Sequence, residues 1–291
     1  MSLLNSNTDQ FDYSSERLCK TCGNEFSGRY CNRCGEEVVE RRDKSVGAFF
    51  RQQFDRLTFN ENKLLRTLKL MFAQPGQLSM NIMNGIRVPF IKPVSIFFLA
   101  NLLYFLFPVF STYNSQLRTQ MHFLPHSDFA AEMVRTKIAN ENMTMSDFTL
   151  RYQQQSSNIS KLLLVVFAIL VAVPLMLLNY HQHYYYRDHL LVSFEYNSLS
   201  ILVCQLAIPW FLIFLEKVFS LTALVEFFFN DVVISVVIGG LSLLVFFIIE
   251  KRVYNQPKRA ALLRASLMVL SLFICLQIYR GILFLVTMLT L

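Results

Sequence analysis

Read for its pattern of apolar and polar positions, the chain has a largely polar first 89 residues and a remainder dominated by long apolar runs. Five runs approach or exceed the roughly 20 residues that a helix needs to cross a bilayer. They are residues 90–110, 161–180, 197–219, 232–249 and 265–291. A surface helix would show a polar face at helical period, and these runs do not. The pattern predicts an all-α integral membrane protein of about five transmembrane helices over residues 90–291. Lys92 is placed to snorkel, and Pro93 is tolerated in a first helical turn. Pro174 and Pro209 predict kinks in the second and third spans, and Gly239 with Gly240 would allow close helix approach in the fourth.

A shorter pattern precedes the first run. In residues 60–72, NENKLLRTLKLMF, a turn of about 100° per residue gathers Leu64, Leu65, Leu68, Met71 and Phe72 on one face. Lys63, Arg66 and Lys69 gather on another. Asn60 is a candidate N-cap and Pro75-Gly76 a stop. The segment predicts a helix in the membrane interface, with Lys63, Arg66 and Lys69 on anionic lipid headgroups. The alternative is a helix packed on the protein's own cytoplasmic surface. Phe49, Phe50 and Phe54 predict a second short helix over residues 46–57, and Arg41, Arg42 and Lys44 would add to the attraction for anionic lipid. Residues 39–89 thus form a juxtamembrane region.

Composition supports a lipid setting: 54% of the 291 residues are hydrophobic and 16% charged, above and below the usual shares of soluble domains. Residues 1–17 show no basic stretch leading into an apolar one, so the reading is a disordered N-terminus rather than a cleavable signal. The net charge of +7 is distributed by loop. Thirteen Lys and Arg lie between Arg17 and Arg87, and five more in residues 251–264. By the bias of basic residues toward the cytoplasm, these two regions face inward, while the polar loop 111–160 and the C-terminus face outward. No dense basic patch carries interleaved aromatics, which argues against a nucleic-acid partner.

The chemistry-bearing motif is CKTCGNEFSGRYCNRC, from Cys19 to Cys34. Two CxxC turns, each followed by Gly, can present Cys19, Cys22, Cys31 and Cys34 tetrahedrally to one Zn²⁺. Residues 18–38 therefore predict a small zinc ribbon, a β-hairpin module. A cytosolic setting argues against disulfides, while an iron site would use the same four thiolates. Four thiolates fill the coordination shell, so the metal is structural and the ribbon a surface for a protein partner. Lys20, Arg29 and Arg33 would offset the negative charge of the centre. Cys204 and Cys275, in apolar runs, read as buried hydrophobes.

Two weaker constellations remain. His181, His183 and His189, with Asp188 and Glu195, have spacings that allow metal binding or proton relay, although amphipathic rings also belong at headgroup level. Gln205, Gln277 and Arg280 could line a polar path, or Arg280 could snorkel toward Glu216, Glu226 or Asp231. The leading function is thus an interaction, assembly or regulatory component. A small transporter or channel through Gln205, Gln277 and Arg280 is the alternative, and a membrane enzyme using the His189 cluster the second.

The order CxxCG, YCxxCG, LRTLKLMFAQPG and NGIRVPFIKPVSIFFLANLLYFLF resembles an uncharacterised bacterial integral membrane protein family of unknown function. Its pattern has an N-terminal zinc ribbon, a Leu-rich segment ending in Pro-Gly, and Gly-x-Arg-x-x-aromatic-x-x-Pro leading into the first span. RDHLLVSF, from Arg187 to Phe194, is similar to the family's His-Leu motif, with Glu195 where that pattern has a second His. The resemblance implies this architecture and a bacterial inner membrane, and no activity.

Overall fold

The computed structural model describes residues 13–38, 61–109, 112–220 and 227–291. Residues 1–12, Arg41, Arg42, Lys44, the helix predicted over 46–57, the Asn60 cap and Glu226 lie outside them. The chain folds as a small antiparallel hairpin, β1 (Glu16–Leu18) and β2 (Glu25–Ser27), followed by helices. β1 begins inside the stretch predicted to be disordered. The helices are α1 (Glu61–Ala73), α2 (Gln77–Met83), α3 (Pro93–Leu106), α4 (Leu117–His122), α5 (Ser127–Glu141), α6 (Met145–Leu178), α7 (Tyr186–Ser200), α8 (Ile208–Phe219), α9 (Asp231–Arg252) and α10 (Lys258–Thr290).

Among the described residues, four helical stretches are long and apolar enough to cross a membrane: Met145–Leu178, Tyr186–Phe219, Val232–Arg252 and Lys258–Thr290. Their outward positions carry exposed apolar side chains such as Leu162, Leu177, Val236 and Leu289. Water would penalise such a surface, and lipid would not. The first predicted span is shorter than its apolar run. α3 holds 14 residues, about 21 Å of helix, against roughly 30 Å of hydrocarbon. At its C-terminal side Asn101 donates to the Lys161 carbonyl at 2.9 Å, and the Lys161 ammonium lies 3.7 Å from the Phe105 ring centre.

Most of the loop predicted over 111–160 is helix. α4, α5 and the first half of α6 pack around Leu117, Met121, Val134, Phe148 and Tyr152 against Phe284 and Met288 of α10. Thr144 opens α6 by accepting the Asp147 amide, and its polar first turns disguise a helix that runs unbroken into the second span. Lys137 donates to the Met288 carbonyl at 2.7 Å. This cap and the C-terminal end of α10 therefore share one end of the bundle.

The third span also starts early. α7 continues through a π-helical stretch, Ile201–Ala207, into α8. Pro209 has no N–H to return to the preceding turn, and the Ile208 amide reaches back five residues to Val203. Within α7, Arg187, His189 and every residue from Leu190 to Leu199 are buried. Several of the polar ones find partners on neighbouring helices or one turn away: Ser193 donates to the Ala168 carbonyl, Asn197 to Ser193, Ser198 to Phe194, and Tyr196 meets Ser242 at 2.8 Å. α7 is the central helix, packed against α1, α2, α3 and α6.

α1 corrects the expected lipid-facing apolar face. Leu64, Leu68 and Met71 join the bundle core, Met71 fully buried, and the buried Thr67 hydroxyl accepts the Ile91 amide at 2.9 Å. Leu65 and Phe72 remain exposed on the same side of the helix as Arg66 and Lys69. A hydrophobic stripe wide enough for two surfaces reads from sequence as one.

Candidate metal centre

The two cysteine turns are built alike, twelve residues apart. The Gly23 amide donates to the Cys19 carbonyl at 2.9 Å, and the Cys19 amide to Asn24 at 2.8 Å. Gly35 donates to Cys31 at 2.8 Å, and Cys31 to Glu36 at 2.9 Å. Both glycines sit at positive φ, 70° and 74°, the left-handed turn expected of the motif. The strand pairing repeats at the same offset, Leu18 with Glu25 and Tyr30 with Glu37.

This duplication brings the four sulfurs together. Cys19 and Cys34 lie 3.4 Å apart, Cys22 and Cys31 3.7 Å, and all four sulfurs fall within 4.8 Å of one another. Such separations exceed a disulfide bond of about 2.05 Å. A tetrahedral ion with metal–sulfur bonds of about 2.3 Å sets its ligands roughly 3.8 Å apart. The donor set therefore fits a metal ion. Among the described residues, these cysteines are the one group of three or more metal-ligating side chains gathered this closely.

Their ionisation points the same way. Burial opposes ionisation of Cys31, yet the backbone amides of Cys34 and Arg33, with the Cys19 and Cys22 thiols, bring it down to about 6. Cys34 accepts the Glu36 amide, but burial and the other three sulfurs push it up to about 12. The cluster releases a first proton readily and resists giving up the last, until a cation neutralises the accumulated charge.

The ribbon is fastened to the helices by a residue that motif reading overlooks. Glu36 is buried, and its Oε2 accepts the Thr21 hydroxyl at 2.7 Å, the Arg87 amide at 3.0 Å and the Val88 amide at 3.1 Å. Thr21 lies between two metal-ligating cysteines, and Arg87 belongs to the Gly-x-Arg segment that leads into α3. A Cβ on Gly85 would sit 3.1 Å from the Lys20 Cδ, so the two surfaces are in contact. Arg29, expected to offset the thiolates, pairs instead with Glu37 at 3.0 Å.

The histidines do not converge. His181 and His183 are exposed, while His189 is buried, its Nδ1 2.8 Å from the Tyr254 hydroxyl and its ring stacked on that tyrosine. Asp188 accepts the Tyr185 amide as part of the α7 cap. Glu195 accepts the amides of Gly76 and Ser79, at 2.8 and 2.7 Å, so its charge closes the start of α2. The other polar trio meets in part. Gln205 accepts the Thr112 hydroxyl at 3.0 Å, and Arg280 donates to the Thr112 carbonyl at 3.2 Å. Gln277 instead lines a groove with His126 and Phe273.

The ribbon end of the bundle holds a charged cluster that no motif announces. Asn179 donates to the fully buried Glu250 at 2.9 Å and accepts from Arg264 at 2.6 Å, with Arg264 and Glu250 4.0 Å apart. Arg252 donates to the Pro75 carbonyl at 2.9 Å, and Tyr184 to Val253 at 3.0 Å. The ribbon, α1, α2 and the turns around residues 179–185 and 253–257 thus lie together, opposite the α4–α5 cap.

Comparison with known proteins gives one match. No curated protein and no solved structure matches the chain. A family model described as a protein of unknown function (DUF3667) matches residues 61–105, the stretch that runs from α1 through the ribbon-docking segment into α3.

Proposed function

We propose that the chain is a multi-span protein of a bacterial inner membrane that holds a structural zinc ribbon on its cytoplasmic face as a docking surface for a protein partner. The observation that carries this reading is Glu36, which joins the ribbon to the approach of α3 through two backbone amides. A ribbon on a free tether would need no such contact. The apolar core of the ribbon is Phe26 with the buried sulfurs of Cys19 and Cys31. One buried aromatic contributes about 1.5–3 kcal/mol, too little to order a module of this size, so a metal ion supplies what packing does not.

The grouping of both basic regions at one end of the bundle supports a cytoplasmic N-terminus. The exposed face of α1, Leu65 and Phe72 beside Arg66 and Lys69, suits the headgroup layer of an anionic bilayer, with Lys63 at its edge. The corresponding division is a ribbon ending near Val38, a juxtamembrane region to about residue 89, and a helical membrane domain beyond it.

The test is site-specific photo-crosslinking in membranes of the native host, with the reactive group at the exposed ribbon residue Arg33. One protein should crosslink from the native ribbon, and Cys22→Ser should abolish the product while the chain still inserts. Absence of any product, or one that survives Cys22→Ser, contradicts the reading.

A further inference from the structure

On the outside of the bundle, α9 and the start of α10 leave a groove of about 410 Å³ between them. Gly240, Leu243, Leu244 and Phe247 form its α9 wall, at the spacing of one helical stripe. Leu262 of α10 completes the apolar lining, and Leu244 and Leu262 are 55% and 52% exposed. Gly240 keeps the inner end open, since no atom lies within 4 Å of where its Cβ would stand. From Phe247 to Gly240 the wall runs about 10 Å along the helix axis.

The mouth of the groove has a different character. Lys258 and Arg259, both exposed, line it from the first turn of α10. Among the described residues, no carboxylate lines the groove and neither cation has an ion-pair partner. In a bilayer the two cations stand at headgroup level, with the apolar walls in the hydrocarbon beside them. Cation at the interface and open hydrocarbon wall below match the profile of an anionic phospholipid. The α9 or α10 of a second copy would fill the walls but bring no accessible carboxylate to this depth. Glu250 is buried and bonded to Asn179, and Asp231 opens the far end of α9.

We propose that this groove holds one anionic phospholipid, its phosphate on Lys258 and Arg259 and an acyl chain along the wall from Phe247 to Gly240. A zwitterionic headgroup carries its own cation, which meets Lys258 and Arg259 with like charge, so the site selects by net headgroup charge. It is separate from the exposed face of α1, which lies on another helix.

The test is native mass spectrometry of the full chain, purified in detergent with its metal and titrated with dioleoyl phosphatidylglycerol or dioleoyl phosphatidylcholine. The first phosphatidylglycerol should bind roughly tenfold more tightly than the first phosphatidylcholine. Lys258→Gln combined with Arg259→Gln should remove most of that preference. Gly240→Leu, which fills the inner end of the groove, should weaken both lipids severalfold and leave the preference in place. All three positions are exposed, so these variants keep the core intact. Arg66→Gln combined with Lys69→Gln on α1 should leave the first binding step unchanged. Equal affinity for the two lipids, affinity unaltered in the groove variants, or a preference lost through the α1 variant instead overturns the proposal. So does a lipid-free dimer that Gly240→Leu separates, because a second copy then occupies the groove.

Discussion

The Glu195 carboxylate meets Ser79 twice, accepting its amide at 2.7 Å and its hydroxyl at 2.5 Å, across 116 residues of chain. The other carboxylate oxygen takes the Gly76 amide. One fully buried side chain from the central helix thus closes the start of α2 and pins the Pro75-Gly76 turn between α7 and the end of α9. Replacing Glu195 by Ala leaves three buried donors without their acceptor, a loss of about 2–4 kcal/mol. The detergent-solubilised protein should melt earlier, and amide exchange over residues 76–79 should quicken. Unchanged exchange there would show that the carboxylate does not hold the turn.

Gly76 tests the same turn from the other side. Its φ is 84°, and an added Cβ would lie 2.8 Å from the Val253 side chain. Gly76→Ala should destabilise by about 1–3 kcal/mol through backbone strain and displacement of Val253. Thermal melting gives the measurement, and a neutral result would mean that the turn stands away from α9.

Much of the architecture can be read from the chain because its signals are local. The CxxCG repeats imply four converging sulfurs, and uniform apolarity implies spans. What escapes is carried by contacts distant in sequence. α7 reads as a polar loop because Arg187, His189, Glu195 and Asn197 dominate its composition, yet all four are buried, His189 against Tyr254, Glu195 at the start of α2 and Asn197 on Ser193 one turn away. The α1 stripe reads as one face because sequence cannot assign Leu64 and Leu68 to the core and Leu65 and Phe72 to the outside. Glu36 carries no motif at all, since its importance arises from the Arg87 and Val88 amides that fold onto it.

Docking of the ribbon should be separable from its folding. Glu36→Gln presents an amide where a carboxylate accepted three hydrogen bonds, and should cost about 1–3 kcal/mol. Hydrogen exchange at Arg87 and Val88 should rise severalfold with metal content unchanged. Protection that stays constant would place the ribbon elsewhere.

The proposed cytoplasmic N-terminus, which rests on the basic turns at the ribbon end, can be tested by labelling. A cysteine in place of the exposed Thr136 should react with a membrane-impermeant maleimide in intact cells. One in place of the exposed Arg259 should react only after permeabilisation. The reverse pattern would invert the orientation.

If a metal ion holds the ribbon that Glu36 fastens to the helices, elemental analysis of the purified protein will find it. One zinc ion per chain is expected, retained through gel filtration at neutral pH. It should be released as pH falls, because protons compete for the thiolates, and absent in Cys31→Ser. A protein that carries no metal, or that keeps a full equivalent after Cys31→Ser, would mean that the four cysteines do not hold a metal ion.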